Sequence, residues 1–513
     1  MIFSSRFSVW TLFAVILLMT AGLSDAKTAL NQNAVRQVGD HQVSDHRIDD
    51  PLASLIRVNV TSQGYSFHRP WRKQSPARRT AIGVILKGPR VLITASLIAN
   101  SRYIELEMPD TRVKSAATVY VVDYEANLAL LEPSDPAFLS HTTPLELTED
   151  AVTGDNLDIW QVRTNGAVVF SKGPVTAVEV TQYPYSNRFL SYRMNNSLQY
   201  RLGNATLPVV KDGKLAGMLM RHDPKDQTTD VIAAPVIAHF LEDAADGKYK
   251  GFPLIGFRIA FTEDPQLRRY AGIESLSGGV YVEHVSEKSP AETAGIQAGD
   301  IVTEIGDFSI DSRGNYPHPL YGRLSMTHLI RCEYHDGDNM KIRVFRDGAM
   351  KELTVMPQYK SAGAYTVPPY RIDAAPRYYI LGGLIFHELS KSYLNEYNRR
   401  QSRVPQHLLY YAGNQNNMAY GERKKIVFLS AVLPTSYTIG YEDLSDLVLL
   451  AVNEQPVSTL EDIPAALKNP VKGFHKIEFE QRPGTIYLDP AELPVIDELI
   501  KKRYYLPALK NLN

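Results

Sequence analysis

The chain has 513 residues, of which 44% are hydrophobic and 10% aromatic, so it can build several packed cores, and its length predicts roughly three domains. Lys and Arg number 55 against 56 Asp and Glu, which leaves a net charge of −1. This balance produces no field that favours nucleic acid or an anionic membrane surface, and neither partner is expected.

Residues 1–26 are predicted to be an export signal. Arg6 supplies a positive charge, residues 9–23 are apolar, and Ser24, Asp25 and Ala26 fit a small-x-small cleavage site. An uncleaved N-terminal anchor is the alternative, although the apolar run is short for a membrane span. We therefore expect the protein in the periplasm or cell envelope, with a polar, flexible lead-in over residues 27–51.

Residues 52–248 carry many short apolar runs rich in Val, Ile, Tyr and Leu, separated by Gly, Pro and Asn turns. The clearest predicted strands are 82–86, 119–122, 157–162, 175–180 and 215–219. Short strands at close spacing predict an antiparallel sandwich or barrel. A helix is predicted over residues 235–241, and Gly247 follows it.

Three segments of this region resemble the active-site blocks of the HtrA/Deg family of serine proteases. Residues 92–98 read Leu-Ile-Thr-Ala-Ser-Leu-Ile, residues 127–131 read Asn-Leu-Ala-Leu-Leu, and residues 203–209 read Gly-Asn-Ala-Thr-Leu-Pro-Val. The family's blocks, in the same order, read Leu-Thr-Asn-Ala-His-Val-Val, Asp-Leu-Ala-Val-Leu and Gly-Asn-Ser-Gly-Gly-Pro-Leu. The resemblance implies a trypsin-like double β-barrel for residues 52–248.

The positions of the family's catalytic triad hold Ser96, Asn127 and Ala205. Acyl transfer needs a nucleophilic hydroxyl, an imidazole base and an orienting carboxylate, and none of these groups stands in its required place. The chain has no histidine between His68 and His141 that could replace the base. We therefore predict no catalytic residues and a degenerate protease domain.

Thr206 and Leu207 replace the two glycines that follow the family's nucleophile. Because β-branched and bulky residues resist the positive φ values that glycine permits, the oxyanion hole is predicted to be misplaced. Thr206 could be a substitute nucleophile, but a shift of one residue is expected to turn its side chain away.

Residues 249–360 resemble a PDZ domain of the HtrA type. Residues 279–282, 289–291 and 294–302 read Gly-Val-Tyr-Val, Ser-Pro-Ala and Ala-Gly-Ile-Gln-Ala-Gly-Asp-Ile-Val, and follow the family's strand, short helix and Gly-Asp turn. A PDZ domain adds an extended peptide to a sheet edge and holds its C-terminal carboxylate with loop amides.

The peptide-binding residues predicted for this domain fall in a carboxylate loop and on a flanking helix, residues 326–332. They are Leu254, Ile255, Gly256 and Phe257 in the loop, and His328 and Leu329 on the helix. His328 could select a hydroxyl in the ligand, and an exposed helix histidine without a binding role is the alternative.

Residues 361–376 are rich in Pro, Ala and Tyr and lack a period, which predicts a linker. Residues 377–513 then resemble a second, divergent PDZ domain, in which residues 378–386 are similar to a carboxylate loop that runs into a strand. The Gly-Tyr-Glu segment at residues 440–442 is similar to the plant-organelle Deg branch and its bacterial relatives. That resemblance implies a role in assembly for the second module.

The expected fold class is mainly β, a trypsin-like double β-barrel followed by two PDZ-like α+β domains. The resemblance implies a trimer-based homo-oligomer. No Cys/His cluster with metal spacing and no phosphate loop occurs, so no metal and no cofactor are expected. Cys332, the only cysteine, cannot form an intrachain disulfide and is expected to pack as a small hydrophobe.

The predicted function is an exported pseudoprotease that binds peptide or protein C-termini, including those of misfolded proteins. It would act as a holdase, adaptor or scaffold in envelope protein quality control. The alternative is an active HtrA/Deg-type serine endopeptidase that degrades misfolded envelope proteins. Reuse of the degenerate site for another ligand is a third possibility that the sequence does not rank.

Overall fold

The computed structural model describes residues 50–185, 187–198, 206–399, 401–414 and 423–513, all within one compact unit. The predicted signal segment, nearly all of the lead-in and Ala205 lie outside the described residues. Within the described residues, no helix is long and apolar enough to cross a membrane.

The first six strands close into a barrel. They are β1 (Leu55–Ser62), β2 (Ala77–Leu86), β3 (Arg90–Ile93), β4 (Ser101–Glu107), β5 (Lys114–Asp123) and β6 (Leu128–Pro133), in the spatial order β1-β2-β3-β6-β5-β4. Val58 and Val60 of β1 lie opposite Leu106 and Ile104 of β4, and all four side chains are buried. This period-two burial fills the barrel interior. A one-turn helix, α1 (Ala95–Ile98), follows β3.

The next six strands close into a second barrel. They are β7 (Asn156–Val162), β8 (Val168–Gln182), β9 (Arg188–Asn195), β10 (Pro208–Lys211), β11 (Lys214–Asp223) and β12 (Thr228–Ala233), in the order β10-β11-β12-β9-β8-β7. Helix α2 (Ala234–Asp243) follows β12 and buries Val236, Ile237 and Phe240 completely. The two closed barrels confirm the predicted double β-barrel, and each predicted strand lies inside an observed one.

The first PDZ domain has a six-stranded sheet, a two-stranded hairpin and short helices. Its elements are β13 (Phe257–Ala260), α3 (Pro265–Tyr270), β14 (Val280–Val285), α4 (Pro290–Thr293), β15 (Ile301–Ile305), β16 (Phe308–Ser309), β17 (Asn315–His318), β18 (Gly322–Ser325), α5 (Met326–Cys332), β19 (Met340–Arg346) and β20 (Ala349–Val355). The main sheet has the order β13-β14-β15-β19-β20, β16 pairs with β15, and β17 pairs with β18. Apolar side chains of this domain and of both barrels form one continuous core.

The predicted Gly-Asp turn of this domain is present. Gly299 has a φ of +96°, and the carboxylate of Asp300 is almost fully buried. That carboxylate accepts hydrogen bonds from the backbone N–H of Gln297 at 2.9 Å and from Arg346 Nη2 at 2.6 Å. Asp300 therefore fixes the entry into β15 against the end of β19.

The second PDZ domain has its own core. Its elements are β21 (Tyr378–Leu381), β22 (Leu384–Glu388), α6 (Lys391–Arg399), α7 (Gln406–Gly413), β23 (Val427–Val432), β24 (Leu447–Val452), β25 (Gln455–Pro456), α8 (Asp462–Ala466), β26 (His475–Phe479), β27 (Thr485–Leu488), α9 (Leu493–Tyr504) and β28 (Lys510–Asn511). The sheet order is β27-β26-β24-β23-β22-β21-β28, and β25 pairs with β24. The loop between β1 and β2 reaches this domain, since the Trp71 and Tyr378 ring centroids are 6.2 Å apart.

The segment predicted to be a linker packs against its neighbours. Val367 is fully buried in a core cluster of the second PDZ domain, and Tyr370 and Ile372 pack on the core of the first barrel. We call residues 367–373 the strap. A segment without a hydrophobic period thus contributes to two cores, although its limits as a linker stay a prediction.

Candidate functional site

Ser96 and Asn127 lie together at the start of α1. The backbone N–H of Ser96 donates to Asn127 Oδ1 at 2.9 Å, and the backbone N–H of Ala95 donates to the carbonyl oxygen of Asn127 at 3.0 Å. Asn127 is 1% exposed and has a φ of +56°, a backbone conformation that asparagine tolerates better than most residues. Its amide oxygen therefore satisfies a free amide at the helix start, as a carboxylate would, but brings no charge.

Hydroxyl groups surround this pair. Ser96 Oγ donates to Thr94 Oγ1 at 3.4 Å, and Thr94 Oγ1 shares a short hydrogen bond with Thr206 Oγ1. Thr94 and Thr206 are each 1% exposed. The side chain of Thr206 thus faces the site, contrary to the expected orientation, but it is hydrogen-bonded to another hydroxyl and not to an imidazole. Ala205 lies outside the described residues.

The strap lies beside these positions. The rings of Tyr124, Tyr185 and Tyr370 meet edge to face with centroids 5.5–5.7 Å apart. Asp373 accepts a short hydrogen bond from the Tyr124 hydroxyl and another, at 2.6 Å, from the backbone N–H of Asn100. Tyr124 is three residues before Asn127 and Asn100 is four after Ser96, so the strap contacts both segments that carry the predicted triad positions Ser96 and Asn127.

The first PDZ domain has an open sheet edge. In the described part of the chain, β13 pairs with β14 on one side and no strand pairs with its other side. The predicted carboxylate loop precedes this strand, and the backbone N–H groups of Ile255 and Gly256 donate to no described acceptor. Free amides beside an open edge are the features that a peptide with a C-terminal carboxylate requires.

Gly256 is needed for the shape of this loop. It has a φ of +87°, and a Cβ atom there would lie 2.4 Å from the Cβ of Ser289. Ser289 is buried and caps α4, because its hydroxyl accepts from the backbone N–H of Glu292 at 3.2 Å. Any side chain larger than hydrogen would therefore displace the start of α4 from the loop.

The peptide groove, as we call it, runs between β13 and α5 and encloses about 1120 Å³. All four predicted loop residues line it, together with Met326, Thr327 and Ile330 of α5. The prediction of His328 and Leu329 as groove residues is wrong, because both are 1% exposed and point into the domain. At 3.6 residues per turn, residues 326, 327 and 330 share one face of the helix, and the residues between them face inward.

His328 has a structural role. Its Nδ1 lies 2.7 Å from the hydroxyl of buried Tyr316, and burial lowers the pKa of the imidazole to about 3. The ring is therefore neutral at physiological pH, because desolvation disfavours the imidazolium. A ligand in the groove does not meet it.

The corresponding edge of the second PDZ domain is occupied. Strand β22 pairs with β23 on one side and with β21 on the other, and β21 also pairs with β28. Gly382 and Gly383, with φ values of +55° and +101°, form the tight turn between β21 and β22. The segment predicted to be a second carboxylate loop is thus a closed hairpin, and the chain's own β21 fills the place of a peptide.

Arg331 of α5 joins the first PDZ domain to both barrels. Its Nη2 donates to Glu125 Oε2 at 2.8 Å, and its Nη1 donates to Asn187 Oδ1 at 3.2 Å. The guanidinium also lies over the ring of Phe189, 4.6 Å from the centroid. The side chains of Arg331 and Glu125 are only 5% and 2% exposed. One wall of the peptide groove is therefore tied to the loop that ends at Asn127.

Burial raises the pKa of Glu125 to about 7, although Arg331 acts in the opposite direction. The neighbouring carboxylate of Asp123 adds repulsion, and this group accepts from the Tyr249 hydroxyl at 2.5 Å and from the Ala126 N–H at 2.8 Å. Sequence reasoning did not find Arg331 or Glu125. A charged residue within the apolar run of α5 was the available signal.

Among the described residues, no group of three or more His, Cys, Asp or Glu side chains is arranged to hold a metal ion. Burial raises the pKa of the Cys332 thiol to about 12, so the thiol stays protonated at neutral pH.

Comparison with known proteins gives one consistent group of relatives. Two PDZ-domain family models match residues 253–356 and 367–510. The chain is similar to Protease Do-like 4, mitochondrial, of Arabidopsis thaliana, with 25% identity over 421 residues, 81% of this chain and 76% of that protein. It is also similar to Protease Do-like 2, chloroplastic, of the same plant, with 26% identity over 437 residues, 84% and 70% of the two chains.

A solved structure described as HtrA-type protease AlgW with tripeptide also matches, with 15% identity and a TM-score of 0.48. The match covers 62% of this chain and 97% of that one.

The buried ion pair predicts a large loss of stability when one partner is removed. At a pH above 7, Arg331→Met should cost about 3–5 kcal/mol, because it leaves the buried Glu125 carboxylate unpaired. Arg331→Met/Glu125→Leu should recover much of that loss. The control is Arg313→Met, whose 2.6 Å pair with Glu263 is about half exposed or more on both sides and should contribute less than about 1 kcal/mol. Calorimetric unfolding measures the stability of all three variants. An equal loss of stability in Arg331→Met and in Arg313→Met would contradict the role assigned to the buried pair.

The raised pKa of Glu125 predicts a pH-dependent contribution to stability. Below pH 4.5, the ordinary pKa of a glutamate, Glu125 is protonated in both the folded and the unfolded state. Between pH 4.5 and about 7, Glu125 is ionised in the unfolded chain and still protonated in the folded one. The folded state therefore loses about 3 kcal/mol relative to the unfolded state as pH rises through this window. The difference in unfolding temperature between the protein and Glu125→Gln should therefore change between pH 4 and pH 8. A difference that does not change with pH would contradict it.

The carboxylate loop predicts a position-specific effect of glycine replacement. Gly256→Ala should abolish binding of a peptide with a free C-terminus, because of the clash with Ser289. The matched control is Gly295→Ala, whose φ is +84° but whose Cβ would meet no atom within 4 Å. Both replacements carry roughly 1–2 kcal/mol of backbone strain, and only the first should lose binding. Titration calorimetry should also give one peptide per chain, and two would contradict the closed second domain.

Proposed function

The chain belongs to the HtrA/Deg family, and from this membership we propose that it is an exported pseudoprotease that captures protein C-termini through its first PDZ domain. In this role it acts as a holdase, adaptor or scaffold in protein quality control of the cell envelope. The proposal includes a trimer-based homo-oligomer, as the family resemblance implies.

The observation that carries the proposal is the contact between Ser96 and Asn127. The amide oxygen that stands in the place of the orienting carboxylate is hydrogen-bonded to the backbone N–H of Ser96 at 2.9 Å. The side chain that stands in the place of the base is a hydroxyl bonded to Thr94. Proton transfer from a nucleophile needs an acceptor with a pKa near neutrality, and a serine hydroxyl does not provide it.

The strap supports the same conclusion. A substrate that entered beside Ser96 and Asn127 would have to compete with Tyr370, which packs on Tyr124 and Tyr185. Asp373 adds hydrogen bonds to the segments on both sides. A working endopeptidase needs an accessible cleft at this position, whereas a binding protein does not.

The peptide groove supports the binding part of the proposal. Among the described residues, it combines a strand edge without a partner strand, two backbone amides without an acceptor, and an apolar floor that includes Ile255, Met326 and Ile330. Unfolded and truncated proteins expose C-terminal segments with apolar residues, which this combination accommodates. Capture at the groove would hold such chains without cutting them.

An active serine endopeptidase is the competing function, and the names of the relatives, which are called proteases, favour it. For this chain it would require a different nucleophile. Thr206 is the residue to examine, because its hydroxyl faces the site.

Casein degradation and suppression of client aggregation, measured on the same preparation, test the proposal. We expect no cleavage, slower aggregation of an unfolding client, and no labelling by a fluorophosphonate probe. Ala205→Ser alone should also be inactive, because loss of triad members costs on the order of 10⁶ in turnover in subtilisin. Cleavage that persists after further purification and disappears in Thr206→Val would establish Thr206 as a nucleophile and overturn the proposal.

A further inference from the structure

The peptide groove is strongly basic, although the whole chain is nearly neutral. Seven arginine or lysine side chains line it, against two glutamates. The net charge of the chain is −1, so this excess is local to the groove. Charge of one sign in a confined cleft raises the local concentration of ligands of the opposite sign.

Three of the seven cations are already paired. Arg258 pairs with Glu283 at 2.8 Å, Arg313 with Glu263 at 2.6 Å, and Arg331 with Glu125 at 2.8 Å. One of the two lining glutamates, Glu179, pairs with Arg193, outside the groove. The neutralised groups shape the groove but contribute little net charge to it.

Four cations lack a carboxylate within 4 Å among the described residues. They are Arg188, Lys288, Arg323 and Lys360. Lys360 is partly buried, with its Nζ 4.4 Å from the ring centroid of Tyr365. An ammonium group that is partly removed from water gains from an added anion, because the surrounding dielectric is lower than in solution.

We propose that the peptide groove selects C-terminal segments that carry acidic residues upstream of an apolar last residue. The inference rests on the proposed function, because it names the class of peptide that the same groove takes. Other PDZ ligands would still fit the strand edge, but without the ion pairs.

The direction of strand addition assigns the charges along the ligand. A peptide added antiparallel to β13 has its last residue near Phe257 and its upstream residues near Phe261, beyond the end of the strand. The terminal carboxylate then meets the amides of Ile255 and Gly256. Upstream residues pass the far end of the groove, which Arg323 of β18 lines.

Leu512 and Asn513 of the same chain do not line the groove. The carbonyl oxygen of Asn513 accepts from Arg371 Nη2 at 2.8 Å, and Leu512 packs on the core of the second PDZ domain. The occupant that we propose for the groove is the C-terminal segment of another protein.

Fluorescence anisotropy with labelled peptides tests the inference on the full-length protein. The peptides end in a free valine carboxylate and carry a run of Glu, Gln or Lys upstream, and a C-terminal amide of the Glu peptide serves as the carboxylate control. We expect the Glu peptide to bind about tenfold tighter than the Gln peptide, which several weak ion pairs can supply, and the Lys peptide to bind weakest. Rising salt should reduce the difference between the Glu and Gln peptides.

A charge-reversed groove provides the matched comparison. Lys288→Glu/Arg323→Glu should remove the preference for the Glu peptide over the Gln peptide. The control is Lys468→Glu/Arg503→Glu, which makes the same charge change at exposed positions of the second PDZ domain. That variant should keep the preference.

The preference for acidic residues and the capture of C-termini can be overturned separately. Equal affinity for the Glu and Gln peptides, each lost on amidation, would overturn the acidic preference and leave C-terminal capture intact. Equal affinity for the free and amidated Glu peptide, or binding by none of the peptides, would overturn capture at this groove and the preference with it.

Discussion

The buried pair of Arg331 and Glu125 is the interaction on which the arrangement of the first three domains depends. Both side chains are nearly inaccessible to water, so each charge is stable there only while the other is present. Arg331 comes from the helix that forms a wall of the peptide groove, and it also contacts Asn187 and Phe189 of the second barrel. Its partner lies in the loop that ends at Asn127. The pair therefore links a wall of the groove to the loop that ends at Asn127.

Asn127 keeps one property of a carboxylate and lacks another. An orienting carboxylate has two separable functions, since it accepts hydrogen bonds from the backbone at the start of α1 and it supplies a negative charge. Asn127 performs the first function through its amide oxygen and cannot perform the second. The start of α1 needs only the hydrogen-bond acceptor and not the negative charge. The hydroxyls of Thr94, Ser96 and Thr206 likewise satisfy one another's polar groups, so the buried site has partners without an imidazole.

Periodicity and turn residues predicted short antiparallel strands in a sandwich or barrel, and the resemblance to the HtrA/Deg family supplied the double β-barrel and the PDZ domains. The bounds predicted for α5, residues 326–332, agree with the observed helix. The sequence did not predict which face of α5 lines the groove. The helix packs on both barrels and is covered on most sides, so its apolar side chains do not mark the groove face. The Gly382-Gly383 pair between two apolar runs is typical of a hairpin turn, and the hairpin forms here in spite of the resemblance of this segment to a carboxylate loop. The packing of the strap and the partner of Arg331 depend on contacts between distant segments, which local sequence does not encode.

The two PDZ domains now have different expected roles, because one sheet edge is open and the other is filled by β21. Binding without cleavage at the open edge is the central claim. Native mass spectrometry of the protein with an acidic, apolar-ended peptide, followed over a long incubation, tests it most directly. The account predicts one peptide per chain, recovered at its full mass at every time. Progressive appearance of shorter fragments that require this protein would contradict it.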